Sequence, residues 1–128
     1  MAIRRFAVAV TTAADGSFTG YTPPFAGRLL ALVITGTLDV GTDWTITEED
    51  TGAALATLTN VNSGRYQPRG ATHGITGTAS LYAAAGTAVE DTIPILGRVK
   101  VVVAQGGNAT SGTLHLYVDA SEVYRTAA

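Results

Sequence analysis

Short alternating runs of apolar and polar residues, each closed by a turn signal, recur along most of the chain. Phe6, Val8 and Val10 alternate with Ala7 and Ala9, the period of a strand whose two faces differ. Asp15-Gly16 is a turn signal. Residues 17–21 predict a short second strand, closed by Thr22-Pro23-Pro24. Two adjacent prolines remove two backbone donors, which keeps this segment out of a sheet centre. Residues 28–38 are the strongest strand, with Leu30, Leu32 and Ile34 on one face and Leu29, Ala31 and Val33 on the other. A strand apolar on both faces is covered on both. One face meets an opposing sheet and the other a loop or a second subunit.

Trp44 and Ile46 alternate with Thr45 and Thr47, Glu49-Asp50-Thr51-Gly52 turns, and residues 54–59 return. Residues 43–60 therefore predict a β-hairpin. Further on, Val99, Val101 and Val103 share one face of a strand over 98–105, and Gly106-Gly107-Asn108 opens a turn. Residues 113–119 are read as its hairpin partner, with Leu114, Leu116 and Val118 inward and His115, Tyr117 and Asp119 outward. The tail from Ala120 is expected to be frayed or bound to a partner.

Residues 61–92 break the pattern. They carry Gly64, Pro68, Gly70, Gly74, Gly77 and Gly86 with no sustained period. A structureless loop of this length is uncommon in a small domain. The segment predicts one or two short strands, around 65–67 and 79–83, or an extended arm for a partner. No window carries a helical apolar stripe, and fifteen glycines disfavour helix. The expectation is an all-β single domain over 1–128: an antiparallel β-sandwich or jelly-roll-like barrel of about seven to eight short strands.

Composition narrows the function. The 128 residues suit one domain. Charged residues are 14% of the chain, against roughly 25% in typical soluble domains, so part of the outer surface is expected to be covered by partners. The net charge of −2 leaves no basic surplus for a phosphate backbone, which argues against nucleic acid. No apolar run is long enough to span a membrane as a helix. The apolar stretch Phe6 to Val10 is too short for a signal peptide and is read as a strand. The absence of cysteine excludes disulfides, thiolate metal sites and a cysteine nucleophile.

Candidate chemistry is thin, and no cofactor is expected. His73 and His115 are the two histidines, and nothing in their spacing predicts that they meet over a metal. Asp39-Val-Gly-Thr-Asp43 places oxygen ligands around a glycine as a calcium loop does, but lacks the full ligand series. A tight turn with Asp side chains accepting backbone N–H groups is favoured. Glu48, Glu49 and Asp50 cluster at a hairpin tip, where a solvated turn outweighs paired-carboxylate catalysis. No serine-nucleophile elbow occurs, and residues 70–77 lack the lysine of a phosphate loop. Tyr21, Tyr66, Tyr82, Tyr117 and Tyr124 are scattered, unlike the aromatic row of a carbohydrate platform. An enzyme is not expected.

Several blocks, taken in order, resemble small virion proteins of tailed bacteriophages. They are Phe25-Ala-Gly27-Arg-Leu-Leu-Ala-Leu-Val33, Asp43-Trp-Thr-Ile-Thr47, Glu49-Asp-Thr-Gly52, Tyr66-Gln-Pro68-Arg69, Ile93-Pro94-Ile-Leu-Gly97-Arg-Val-Lys-Val101, Val103-Ala-Gln-Gly-Gly107 and Ser111-Gly-Thr113. The resemblance implies a β-sandwich on the outside of a head shell: a capsid-decoration (cement) protein, trimeric in many such cases, made in the host cytoplasm and bound to the major capsid protein. On that reading Ile3, Arg4, Arg5, Tyr66, Arg69 and His73 are candidates for capsid contact, and Leu29, Ala31 and Val33 for contact between copies. The alternatives are a tail or head–tail joining component and a carbohydrate-binding or adhesion module.

Overall fold

The alternating segments become strands because each has one face that must leave water. In the computed structural model, which describes residues 2–120, the strands are β1 (Ile3–Thr11), β2 (Phe18–Tyr21), β3 (Phe25–Gly36), β4 (Asp43–Glu48), β5 (Ala54–Leu58), β6 (Gly64–Tyr66), β7 (Gly70–Ala71), β8 (Glu90–Asp91), β9 (Ile93–Gly97), β10 (Val99–Ala104) and β11 (Ser111–Asp119). A five-stranded sheet runs β1-β11-β3-β6, with β9 also paired to β3, and a four-stranded sheet runs β2-β10-β4-β5. β7 and β8 form a separate two-stranded ladder. All pairings are antiparallel, and the described residues contain no helix. The tail after Ala120, with Tyr124, lies outside the described residues.

The two sheets close on one apolar core. Val8, Val10, Phe25, Leu29, Leu32, Ile34, Leu114, Leu116 and Val118 come from the larger sheet and meet Trp44, Ile46, Leu55, Val99, Val101 and Val103 of the smaller. Each such side chain contributes about 1.5–3 kcal/mol by leaving water. Trp44 is fully buried, and its Nε1 donates to the Val61 carbonyl at 2.9 Å, so the indole N–H keeps a partner. β2, with the two prolines after it, is an edge strand.

Two sequence expectations need correction. The first concerns β3. Its pairing with β11 shifts between Tyr117 and Val118, leaving Leu30 as an extra residue. This β-bulge turns Leu29 and Leu32 to the same inner side, so strict alternation across 28–38 fails. Leu29 is fully buried in the core. It is absent from the outer face on which it was expected to contact another copy.

The second concerns the turns. β4 and β5 form the expected hairpin, but β10 and β11 are not partners. β10 lies between β2 and β4 in one sheet, β11 between β1 and β3 in the other. Residues 105–110 cross between the sheets, as do residues 12–17. The two crossings are tied together: Gly106 N donates to Gly16 O at 2.9 Å, Thr12 Oγ1 to Gly107 O at 2.7 Å, and Thr110 N to Thr12 Oγ1 at 2.8 Å. Gly16 has φ +83°, and a Cβ there would meet Gly106 N at 2.8 Å. Only glycine allows this contact of backbone on backbone.

The glycine-rich stretch is an arm. β6 falls close to the expected 65–67 strand, whereas 79–83 holds only isolated bridges at Ala79 and Leu81. β6 pairs with Leu32–Ile34 of β3 and β9 with Phe25–Leu29, so the arm leaves the sheet edge opposite the bulge. Thr72 N donates to Val89 O, Val89 N to Ser80 O, and Ser80 N to Thr72 O, at 2.9–3.0 Å. This closed cycle joins two small hairpins, which turn at Gly74–Gly77 and at residues 83–86. Backbone hydrogen bonds give the arm its shape where no core is available.

Candidate functional site

The outer face of the five-stranded sheet carries a recess. Strand alternation sends Ile3, Arg5 and Ala7 of β1, His115 and Tyr117 of β11, and Ala31 and Val33 of β3 to this side. The bulge adds Leu30, and β6 with the link after it adds Arg65, Gln67 and Arg69. Ile3, Leu30, Ala31, Val33, Arg65, Gln67, Arg69 and Tyr117 line a concavity of about 490 Å³. That volume lies within the usual range of ligand-sized clefts.

The chemistry of this recess is an apolar floor with a cationic rim. Arginine suits such a place because its stem packs on apolar surface while its head stays in water. Arg69 Nη1 donates to the Pro68 carbonyl at 2.9 Å and lies 3.5 Å from the Leu30 carbonyl at the bulge. The guanidinium is thereby held at the mouth of the recess. No acidic residue lines it. Arg5 and Arg28 alternate onto the same sheet face, where Asp119 is the acid in register with Arg28. His115 stands beside Ala7 and Val33, and its Nδ1 is buried without a hydrogen-bond partner among the described residues. An unpaired polar atom of this kind lowers stability. The arrangement can bind a partner that offers apolar side chains flanked by negative charge.

Among the residues expected to make contacts, Ile3, Ala31, Val33 and Arg69 meet in this recess, and Arg5 shares its face. Ile3 and Arg69, expected to contact the capsid, and Ala31 and Val33, expected to contact another copy, thus line one surface. Arg4 alternates to the opposite side, its guanidinium carbon 5.8 Å from the Phe6 ring centre. Tyr66 turns inward against the core and its hydroxyl donates to Ser63 O at 3.3 Å. His73 stands on the arm, bridged to Ala79. Sequence reasoning missed Leu30, Arg65, Gln67 and Tyr117. The spacing of Arg65 and Gln67 at i−4 and i−2 from the expected Arg69 was the available signal for these two missed rim positions.

The remaining polar clusters have structural partners. Asp43 Oδ1 accepts from Asn60 N at 3.0 Å, and the Asp39 carbonyl accepts from Thr42 N at 3.1 Å, the tight turn favoured over a calcium loop. Glu48 accepts from Thr51 Oγ1 at 2.8 Å and from Leu96 N at 3.1 Å, tying the β4–β5 turn to β9. Glu49 forms an ion pair with Arg98, whose guanidinium lies 4.3 Å over the Tyr21 ring. The hydrogen bond from Arg98, followed by its charge, holds the Glu49 carboxyl below the ordinary range, and Glu49 raises Arg98 in turn. Hydrogen bonds from Ser17 likewise hold Asp15 low. Among the described residues, no three His, Asp or Glu side chains converge as metal ligands, and no helix is long and apolar enough to cross a membrane. No protein-family model and no curated protein matches the sequence.

Proposed function

We propose that this chain is a non-enzymatic assembly module: a capsid-decoration protein that binds the outside of a tailed-phage head shell and bridges major capsid subunits. The observation that carries the reading is the pairing, on one small sandwich, of an apolar recess rimmed by arginines with a projecting arm. A domain with charged residues at only 14% that also offers both a recess and a protrusion has much of its surface suited to contact. The choice of partner rests on the resemblance of the strand and turn blocks, taken in order, to those of phage virion proteins.

The mechanism is thermodynamic. A module that binds the expanded shell and not its precursor lowers the free energy of the expanded state alone. Each occupied site contributes about 2.7 kcal/mol at a free concentration one hundred times Kd. An oligomer that touches several capsomers gains further through simultaneous contacts.

Co-sedimentation of the purified protein with expanded and unexpanded heads of its source virus tests this. Saturable binding to expanded heads alone, with a rise in the temperature at which those heads rupture, is the expected result. Equal binding to both forms, or to neither, overturns the proposal and moves the reading to a tail or adhesion role.

A further inference from the structure

We infer that two copies of this chain pair through β5, edge to edge and antiparallel, so that their four-stranded sheets run on as one. A strand that ends a sheet leaves half of its backbone N–H and C=O groups without a ladder. Folded chains guard such edges with charge, proline, short length or a cap. Most outer strands here are guarded. β1 carries Arg4 and Arg5, and β2 runs into Pro23-Pro24. β6 is three residues long and carries Arg65, and β7 and β8 have two residues each. β9 contains Pro94, and its Leu96 N–H is capped by the Glu48 carboxylate at 3.1 Å.

β5 lacks these guards. Residues 51–64 hold no charged side chain and no proline. Among the described residues, the backbone of β5 bonds to β4 alone. Its one irregularity is an extra residue, Leu55, on the side of the β4–β5 turn. Beyond it Ala56, Thr57 and Leu58 keep regular register with Ile46, Thr45 and Trp44. Glu48 N donates to Ala53 O, and the alternation of the ladder, carried through the bulge, turns the N–H and C=O of Thr57 away from β4.

The edge fits a second copy of itself. A backbone ladder is the partner that unpaired N–H and C=O groups require, and a two-fold axis through Thr57 supplies one from the same residues. It sets Thr57 against its own counterpart and Ala56 against Leu58, small beside large. Threonine directly opposite threonine is a favourable cross-strand pair. No like charges oppose the approach, because the edge carries none. Leu58 is only half-buried within one copy, and a partner strand covers more of it. Val40, 77% exposed, lies in the turn whose Thr42 carbonyl accepts from Val61 N, and it adds apolar surface just past the end of β5. Such a contact is isologous and closes at two copies. β5 belongs to the smaller sheet, so the recess on the larger sheet stays free for the shell, and the inference goes beyond the shell-binding proposal.

The two-fold makes a sharp test, because any charge placed at residue 57 meets itself. The Thr57 side chain is exposed, so Thr57→Lys and Thr57→Glu should each fold as the wild type does, checked by circular dichroism and thermal unfolding. Sedimentation should show the wild type as a dimer. Each variant alone should dissociate, with Kd raised about tenfold or more by like charges placed face to face. Mixed in equal amounts, the two variants should dimerise again, because lysine then faces glutamate. A wild type that is monomeric at millimolar concentration overturns the inference and leaves the edge to a strand of another protein. Variants that associate like the wild type, or a mixture no tighter than either variant alone, overturn it as well. Heads are absent from this experiment, so its failure is distinct from a failure of shell binding.

Discussion

The sandwich body and the arm show two ways of ordering a chain. In the body, alternation puts apolar side chains such as Leu32, Trp44 and Val101 into one core, and burial fixes the register of every strand. In the arm, Thr72, Ser80 and Val89 hold one another through backbone hydrogen bonds, while Ile75 and Tyr82 stay in water. The body is stable by what it buries. The arm has shape but little burial, which leaves its side chains free to serve a contact.

Substitutions can test how far that contrast holds. Trp44→Ala should have the largest effect, a loss of about 3–5 kcal/mol in denaturant unfolding, from a cavity of indole size and an unpaired Val61 carbonyl. A loss below about 1 kcal/mol would mean that the two sheets pack far more loosely than described. Replacing residues 72–89 by Asn-Gly should change unfolding free energy by less than about 0.5 kcal/mol. It keeps the pairs Gly70↔Asp91 and Ala71↔Glu90 and closes them with a favoured two-residue turn. A large loss would show the arm to be part of the body after all.

Glu49→Gln should have the smallest effect, because the pair with Arg98 is on the surface. Its sign with pH is fixed. Arg98 lowers the Glu49 carboxyl in the folded chain from an ordinary 4.5, so the stabilisation is present above that pH and fades as pH falls through the lowered value. The difference in Tm between wild type and variant should therefore be measurable at pH 7 and close in strong acid. A difference that persists in strong acid would assign it to packing and not to charge.

Much of the body was legible in the sequence because burial writes itself as alternation. β1, the β4–β5 hairpin and the inward valines of β10 were all readable. The partner of each strand was not. Gly106-Gly107-Asn108 has the chemistry of a hairpin turn, yet joins strands of different sheets, because turn residues report a change of direction and not the strand that follows. The bulge at Leu30 was equally hidden, since Leu29-Leu30-Ala31-Leu32 is apolar at every position and carries no periodic mark of a slip. For the recess, Ile3, Ala31, Val33 and Arg69 were singled out one by one. Their convergence depends on β11 lying between β1 and β3, and no local pattern encodes that order.

That order also bears on synthesis. β11 comes after all the other described strands in the chain, yet it is the strand that joins β1 to β3, pairing Ile3 with Asp119 and Ile34 with Leu114. A ribosome-bound chain lacking β11 has two long strands whose facing edges have no neighbour, and its larger sheet cannot close. The larger sheet must wait for β11, and contacts of such long sequence separation place the chain among slow-folding β proteins, in milliseconds to seconds. Until then the gap between β1 and β3 is open to a strand from any nearby chain. A chain that meets copies of itself in this state is therefore exposed to exchange of its central strand with them.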